Sequence, residues 1–447
     1  MARLLVALVV TLVAVTALSK EIPDPSDLAF VLSENDFEDY LDSWLELKTE
    51  ANRLSTIFLR SQSGCTLDVN KDLGHPQPIY LNNNTYLTPT GATGKINLYS
   101  GEQVTIACPG SKRSIVHPNI TASVATATAV CVNNDLVAGA GWLNGIGAFS
   151  GLTCSSNPTH EALATNETCY NNNLVIRVGF TVEGIFYPLY WSCFDERRLE
   201  VLYVWYEQNP PNAVYQTGVN RPNFAAGTFY PGVPVNDLYK QEQQKRTIAD
   251  LVGNELANKY LTNRQYLSRG HLAAKTDFIY ASGQRASFYF INAAPQWQPF
   301  NAGNWNSLEQ KLRERIGKAG YNTVVYTGTF GVTQLRDEND RLVDIYLYTD
   351  ANNNPQIPVP LYYYKVVYDA SRGLGTAFVS INNPYYTESE VRALTFCTDR
   401  CRNNSAFSWL NWKPDNIDIG YSFCCTVDDF RRTVPHLPPF TVIDLLS

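Results

Sequence analysis

Histidine is scarce in this chain, which contains only five in 447 residues. Because histidine is the side chain that most readily exchanges a proton near neutral pH, this scarcity leaves few candidates for acid–base chemistry. His271 stands alone between His160 and His436, beside Arg269 and Gly270 in a polar stretch. We therefore regard His271 as the first candidate for a functional histidine.

Long apolar runs are missing beyond the N-terminus. The one such run, from Leu4 to Leu18, follows Arg3 and ends at the small residues Ala17 and Ser19, which is typical of a secretory signal peptide. Nothing else approaches the roughly 18–20 apolar residues of a membrane span. We expect residues 1–19 to be removed and the mature protein to be secreted without a membrane anchor. Four Asn-x-Ser/Thr glycosylation acceptors agree with secretion: Asn83, Asn119, Asn166 and Asn403.

Charged residues are also few, at 17% of the chain, whereas 45% of the residues are hydrophobic. This composition excludes a disordered or fibrous protein. The length of 447 residues is enough for two or three globular domains. The sequence has neither the Gly-x-Ser-x-Gly motif of serine hydrolases nor the His-Glu-x-x-His motif of zinc peptidases, so these two classes of secreted hydrolase are disfavoured.

Cysteine is absent from residues 194–396 and occurs in two even groups on either side. The first group has six cysteines and the second has four: Cys65, Cys108, Cys131, Cys154, Cys169 and Cys193, then Cys397, Cys401, Cys424 and Cys425. In an oxidising compartment ten cysteines most simply form five disulfides, each closed within its own group.

Two neighbouring cysteines, Cys424 and Cys425, restrict the pairing in the second group. Adjacent cysteines rarely pair with each other, so we expect them to reach Cys397 and Cys401 separately. The alternative is a four-sulfur zinc site, which secretion disfavours.

Acidic and basic residues are unevenly distributed, and the formal net charge is −7. Residues 20–62 carry an excess of acids with helical spacing of apolar positions, and we interpret them as a removable pro-segment. The alternative is an N-terminal helix that stays attached. Residues 240–318 hold twelve bases and six acids. This positive block suits a polyanionic ligand, although half of its bases are equally consistent with ordinary helix surface.

Secondary-structure patterns place the chain in the α+β class. Residues 63–193 show short alternating runs broken by Gly and Pro, as in a disulfide-pinned, mainly β domain, and residues 194–447 alternate strands and helices. The expected strands are 95–99, 103–107, 198–206, 286–291, 323–327, 342–348 and 362–368. The expected helices are 247–261 and 305–319, the second ended by Gly320.

Three short segments carry the chemistry that the sequence suggests: Ser268-Arg269-Gly270-His271, Asn292-Ala293-Ala294-Pro295-Gln296, and Asn301-Ala302-Gly303-Asn304-Trp305 leading to Glu309. Metal-assisted phosphodiester cleavage needs a base, a cation and donors that hold the phosphate. His271 can be the base, and the Asn301 carbonyl with a water shell is adequate for Mg²⁺.

Glu309 lies eight residues after Asn301, roughly 12 Å along a regular helix. Because this distance is too great for both side chains to bind one ion directly, we expect Glu309 to order the water around it. The alternative is that all three residues are structural: His271 lies in the core, Asn301 caps a helix and Glu309 is a solvated helix residue.

Together the three segments resemble the signature of the DNA/RNA non-specific endonuclease family: Asp-Arg-Gly-His, Asn-x-x-Pro-Gln and Asn-x-x-x-Trp-x-x-Leu-Glu. The resemblance extends from about residue 190 to the C-terminus and implies a ββα-metal endonuclease domain over residues 194–447. It implies that His271 is the general base, that Asn301 is the single protein ligand of Mg²⁺ (Mn²⁺ is the alternative), and that Glu309 arranges its water shell.

Other positions follow from the same resemblance. Asn292, Gln296 and Arg269 are expected to shape the pocket. Arg221, in Asn220-Arg221-Pro222-Asn223-Phe224, is the candidate for an upstream arginine that contacts the phosphate. Ser268 departs from the family pattern because it stands where aspartate is usual, which puts the metal affinity and the pocket charge in question.

The layout resembles the secreted digestive nucleases of invertebrates, especially those that cut double-stranded RNA, and it suggests a digestive lumen as the setting. We expect a secreted Mg²⁺-dependent endonuclease of double-stranded RNA that also cuts DNA. The alternatives are a relative that prefers duplex DNA, and a secreted nucleic-acid-binding protein that has lost catalysis.

Overall fold

Short antiparallel strands fill the first part of the protein, for which a computed structural model describes residues 64–447. These strands are β1 (Cys65–Asp68), β2 (Ile79–Asn82), β3 (Thr85–Tyr86), β4 (Lys95–Leu98), β5 (Gln103–Ala107), β6 (Ile115–Val116), β7 (Thr126–Asn133), β8 (Leu136–Ala138), β9 (Ile146–Ala148) and β10 (Thr153–Cys154). Six of them pair in the order β3-β2-β5-β7-β8-β9, while β1 pairs with β4 and β6 with β10. The strands expected at 95–99 and 103–107 are confirmed as β4 and β5.

A larger antiparallel sheet of eight strands occupies the rest of the described chain. The strands of this part are β11 (Glu161–Thr168), β12 (Leu174–Val182), β13 (Ile185–Asp195), β14 (Glu200–Gln208), β15 (Leu267–His271), β16 (Ala293–Trp297), β17 (Thr323–Val332), β18 (Gln334–Arg336), β19 (Leu342–Asp344), β20 (Tyr346–Thr349), β21 (Pro355–Pro358), β22 (Pro360–Asp369), β23 (Leu374–Ile381) and β24 (Ser422–Cys425). The large sheet has the order β11-β12-β13-β14-β17-β22-β23-β24. The pairs β15–β16, β18–β19 and β20–β21 are separate.

Most α-helices of the described chain lie between β14 and β17. They are α1 (Val235–Leu238), α2 (Gln241–Val252), α3 (Asn254–Tyr260), α4 (Ala281–Ala286), α5 (Gln298–Phe300) and α6 (Asn306–Ala319), followed later by α7 (Glu388–Ala393) and α8 (Val427–Thr433). Helix α6 ends at Gly320, whose φ of 67° is left-handed, as expected. This mixture of helices and sheets confirms the α+β class.

Two expected elements are wrong. The helix expected over 247–261 is divided into α2 and α3, because Gly253 between them has a φ of 94°. The strand expected over 286–291 does not form. Its aromatic residues are buried by packing rather than by pairing, and Tyr289 makes only an isolated bridge to Ala225. The strand expected over 342–348 is present as the two shorter strands β19 and β20.

All five disulfides close within the expected groups. Cys424 and Cys425 reach separate partners, as expected: Cys397 pairs with Cys425 and Cys401 with Cys424. The remaining pairs are Cys65–Cys131, Cys108–Cys154 and Cys169–Cys193. The region without cysteine is therefore held together without disulfides, by packing, hydrogen bonds and ion pairs.

The large sheet continues across residue 193, where the sequence suggests a domain boundary. Cys193 lies within β13, which pairs with β14, and Ile79 and Leu81 pack into the same core as the large sheet. The expected domain boundary between residues 193 and 194 therefore does not coincide with a boundary between sheets. The division into the domains 63–193 and 194–447 stays a prediction. The expected signal peptide and pro-segment lie outside the described residues. Within residues 64–447, the helices are too short or too polar to cross a bilayer.

Candidate active site

Strands β15 and β16 bring two of the sequence motifs face to face. They pair antiparallel, with Ser268 opposite Gln296 and His271 opposite Ala293. The chain then continues through α5 and a five-residue π-helical turn, Asn301–Trp305, into α6. Strand β15 carries the first motif, β16 carries the second from Ala293 onward, and the π-helical turn with α6 carries the third.

Gly270 permits this close pairing. A Cβ atom at this position would lie 2.3 Å from Gln296 Oε1 and 2.8 Å from the Tyr363 hydroxyl. Neither distance is possible for a real side chain, so only glycine fits between the two motif strands.

His271 is held by aromatic rings. Its imidazole lies 4.8 Å from the Phe224 ring and 4.7 Å from the Phe288 ring, measured between centroids, and the residue is 9% exposed. Its Nε2 atom is buried and has no hydrogen-bond partner among residues 64–447. Buried polar atoms are normally paired, so an unpaired one next to a cleft indicates an atom kept free for a ligand or water.

The protonation of His271 follows from its surroundings. Burial lowers the pKa of His271 to about 3, and the nearby positive charges of Arg221 and Lys275 add to this effect. The imidazole is therefore neutral at physiological pH. A neutral ring with a free nitrogen can accept a proton, which is what a general base requires.

A cleft of about 480 Å³ opens beside these rings. It is lined by Arg221, Pro222, Asn223, Phe224, Asn236, Tyr239, Tyr266, Leu267, Ser268, Arg269, Phe288, Gln298 and Asn301. The lining thus combines two arginines, several aromatic rings and the first residue of the third motif. His271 packs against two of the lining rings.

Cations surround the cleft on several sides. The Arg221 guanidinium lies 5.1 Å from the Phe288 ring, and that of Arg269 lies 5.3 Å from the Tyr239 ring. Lys275 donates a hydrogen bond of 2.5 Å to the Val219 carbonyl, two residues before Arg221. Arg269 Nη2 donates to the Asn236 carbonyl at 3.1 Å, whereas the Arg221 guanidinium makes no hydrogen bond within residues 64–447. The two cations therefore suit the cleft to an anionic ligand such as phosphate.

Asn301 offers one oxygen that fits a metal ion. Its Nδ2 donates to Ser268 Oγ at 3.0 Å, and no protein group within residues 64–447 hydrogen-bonds its Oδ1. An amide oxygen is a suitable ligand for a hard divalent cation that keeps most of its water shell. Asn301 therefore fits the divalent cation that the sequence implies.

Another cluster of metal-ligand atoms does not fit. Atoms of Asp399, Cys401 and Cys424 lie within 4.8 Å of one another. The two sulfur atoms are joined in a disulfide, and Asp399 Oδ1 already accepts hydrogen bonds from the backbone of Cys401 and Cys424. A disulfide has no thiolate to offer, so this cluster is structural.

Glu309 lies in the first turn of α6 and faces a buried charge network. Burial raises the pKa of Glu309 to about 7, and the charge of Lys365 opposes this rise. Asp277 and Arg313 are its other charged neighbours. Glu309 is not among the residues that line the cleft, so the structure groups it with the network rather than with Arg221, Arg269 and Asn301.

The network itself was not foreseen from the sequence. Asp277 accepts hydrogen bonds from the Tyr206 hydroxyl at 2.6 Å and from Arg313 Nη1 at 2.7 Å. Lys365 Nζ donates to the Tyr206 hydroxyl at 3.0 Å and to Thr327 Oγ1 at 2.7 Å. These contacts tie α6 and the segment after β15 to the centre of the large sheet.

The two amides expected to shape the pocket differ in their environments. Asn292 is fully buried; its Oδ1 accepts from the Ala273 backbone N–H at 2.8 Å, and its Nδ2 donates to the carbonyls of Ala273 and Ser287. It fixes the backbone just after His271 and does not reach the cleft. Gln296 is also buried, but its side-chain amide is unpaired within the described residues.

Sequence reasoning missed three contributors to the site. Phe224 and Phe288 hold the His271 ring, and Lys275 holds the segment that carries Arg221. Phe224 follows Arg221 closely and Lys275 follows His271 by four residues, so proximity along the chain was the available signal.

Comparison with known proteins identifies relatives. The chain is 27% identical over 362 residues to the salivary endonuclease of Lutzomyia longipalpis, covering 80% of each protein. It is 26% identical over 358 residues to salivary protein Tsal1 of Glossina morsitans morsitans, covering 77% of this chain and 83% of that protein. A chain in a crystal structure of the EndoG/EndoGI complex is 18% identical, with a TM-score of 0.35, and the alignment covers 57% of this chain and 87% of that one. So low a score carries no argument about the fold.

The family assignment rests on a longer match. Residues 171–430 match the DNA/RNA non-specific endonuclease family. The matched segment is more than half of the chain and contains β15, β16, α6 and all the residues that line the cleft. The protein therefore belongs to the DNA/RNA non-specific endonuclease family and is a nuclease, an enzyme that hydrolyses nucleic acids.

Proposed function

We propose that this nuclease is a secreted, metal-dependent endonuclease that cuts double-stranded RNA and also DNA. The observation that carries the proposal is the unpaired, buried Nε2 of neutral His271 beside a cleft lined by Arg221, Arg269 and Asn301. The salivary relatives and the expected signal peptide favour secretion. Strands β15 and β16 with α6 are the proposed ββα-metal unit.

Asn301 Oδ1 is the atom proposed to hold a divalent cation, expected to be Mg²⁺ with Mn²⁺ as the alternative. When bound, such a cation supplies positive charge that stabilises the charge developing on the phosphate. The role expected for Glu309, ordering water near this position, stays a prediction.

The chain's own groups account for the remaining chemistry. His271 Nε2 accepts a proton from a water molecule as its oxygen forms a bond to phosphorus and one phosphodiester P–O bond breaks. Arg221 and Arg269 hold the phosphate oxygens through charge-assisted hydrogen bonds. Because water is the nucleophile, the ribose 2′-hydroxyl is not needed, and one site can accept both RNA and DNA.

The test compares purified wild-type protein with His271→Ala on labelled duplex RNA and duplex DNA, with Mg²⁺ or with EDTA. We expect metal-dependent cleavage that falls at least roughly 100-fold in the variant. The control is His160→Ala, because the hydrogen bond and ring contacts of His160 are with Tyr289 and Phe180, neither of which lines the cleft.

The possible outcomes separate the alternatives. A higher rate on DNA would make the protein a duplex-DNA-preferring member of the family. Tight duplex binding without cleavage would indicate a catalytically inactive binding protein. Full activity of His271→Ala would overturn the proposed base.

A further inference from the structure

Ser268 occupies the position where the family usually has aspartate, and it makes two hydrogen bonds in the site. Its Oγ lies 2.9 Å from the Gln296 carbonyl oxygen and 3.0 Å from Asn301 Nδ2. The hydroxyl thus bridges the neighbouring motif strand β16 and the residue proposed to hold the cation.

Proton counting fixes the direction of both bonds. A backbone carbonyl can only accept, so the single Ser268 proton is used on Gln296. Towards Asn301 the hydroxyl can then only accept, and the group that faces it must be the amide NH₂. The Asn301 carbonyl Oδ1 is therefore turned away from Ser268 and has no protein partner within residues 64–447.

We propose that Ser268 is a positioning residue that orients the Asn301 amide so that Oδ1 faces the cation, without adding negative charge to the cleft. This inference rests on the proposed function. An aspartate here would also accept from Asn301, but it would have no proton for the Gln296 carbonyl and would place a negative charge next to Arg269. Serine keeps the orientation and leaves the cleft more positive.

The arrangement has a measurable consequence for metal binding. A hydrogen bond that fixes the orientation of a metal ligand typically contributes 10- to 100-fold to affinity. Ser268→Ala removes the acceptor, so the Asn301 amide is free to rotate and present NH₂ instead of oxygen. Ser268→Thr retains a hydroxyl and should preserve the orientation.

The experiment titrates Mg²⁺ and Mn²⁺ into full-length wild-type protein, Ser268→Ala and Ser268→Thr, following the rise in Tm as well as cleavage. We expect the metal concentration for half-maximal effect to rise roughly 10-fold or more in the alanine variant in both readouts. The threonine variant should stay within about 3-fold of wild type. The Tm in EDTA should differ little among the three, because Ser268 is only partly buried.

Three outcomes would contradict these expectations. If wild type binds metal and cleaves, and Ser268→Ala matches it in both titrations, Ser268 has no positioning role. If metal changes neither the Tm nor the activity of wild type, the proposed metal-dependent function itself is wrong. Loss in the alanine variant without rescue by threonine would also count against the orienting hydroxyl.

Discussion

At the scale of single residues, the unusual feature of this site is a histidine positioned by rings. Phe224 and Phe288 pack against His271 and against each other, and within the described chain its Nε2 has no partner. A neighbouring carboxylate would orient the ring but would also raise its pKa. Aromatic packing orients the imidazole and leaves it neutral.

Glu309 gives a pH-dependent prediction. Its pKa is about 7 in the folded protein, against 4.5 as the usual value. Between pH 4.5 and pH 7, Glu309 is protonated in the folded state but has lost its proton in the unfolded state. The free energy of unfolding must therefore fall as the pH rises from 4.5 to 7. Relative to Glu309→Gln, wild type should lose on the order of 2 kcal/mol between pH 4.5 and 7.5.

Urea unfolding in EDTA at several pH values measures this difference. Glu314→Gln is the control on the same helix, because the pKa of Glu314 is lowered, chiefly by its hydrogen bond from Lys311. Parallel pH profiles for wild type and Glu309→Gln would show that the pKa of Glu309 is not raised in the folded protein.

The resemblance to the endonuclease signature made His271, Asn301 and Arg221 candidates, because short motifs can be read from the sequence alone; their roles stay predictions. The orientation of Asn301 could not be obtained in this way. It depends on the proton of Ser268, which is committed to the Gln296 carbonyl 28 residues away in the chain. Hydrogen-bond direction is a property of the fold, and no motif encodes it.

At the scale of elements, β15 and β16 were not recognised as strands although they hold two motifs. Their sequences, Leu-Ser-Arg-Gly-His and Ala-Ala-Pro-Gln-Trp, contain glycine and proline and lack β-branched residues, so local propensity argues against strands. Pairing with each other overrides this preference. Segment 286–291 shows the converse, since its aromatic residues suggest a strand that packing prevents.

Helix α6 is anchored by a buried ion pair. Arg313 and Asp277 are 2.7 Å apart, with exposed side-chain fractions of 5% and 1%. Arg313→Met removes the buried guanidinium partner of Asp277, which should cost about 3–5 kcal/mol. Chemical denaturation measures the loss.

Lys311→Met is the matched control on the same helix, because its partner Glu314 is half exposed. This substitution should change stability by less than about 1 kcal/mol. Similar costs for the two variants would contradict the role of the buried pair.

At the scale of the whole molecule, the N-terminal strands pack closely on the segment that follows His271. The Tyr280 hydroxyl donates to the Leu87 carbonyl at 2.7 Å, and Ile279 and Tyr280 belong to the core of the N-terminal region. Asn70 also donates to the Tyr215 carbonyl at 3.1 Å.

Removing residues 1–160 should therefore destabilise the remainder. The fragment keeps β11 and the other strands of the large sheet but exposes the surface around Tyr280. We expect its Tm to lie more than about 10 °C below that of the full chain, because several buried apolar side chains lose their cover. Calorimetry of both proteins measures this. An unchanged Tm would instead show that residues 161–447 are stable without the N-terminal strands.

The two disulfides at β24 have a further consequence. Cys424 and Cys425 are consecutive strand residues, so their side chains point to opposite faces of the sheet, and each bond fastens one face of this outermost strand. Neither bond persists in a reducing cytosol. Without these bonds the chain would keep a loose sheet edge on both faces. The fold of this nuclease is therefore completed only in a compartment where the two disulfides can form.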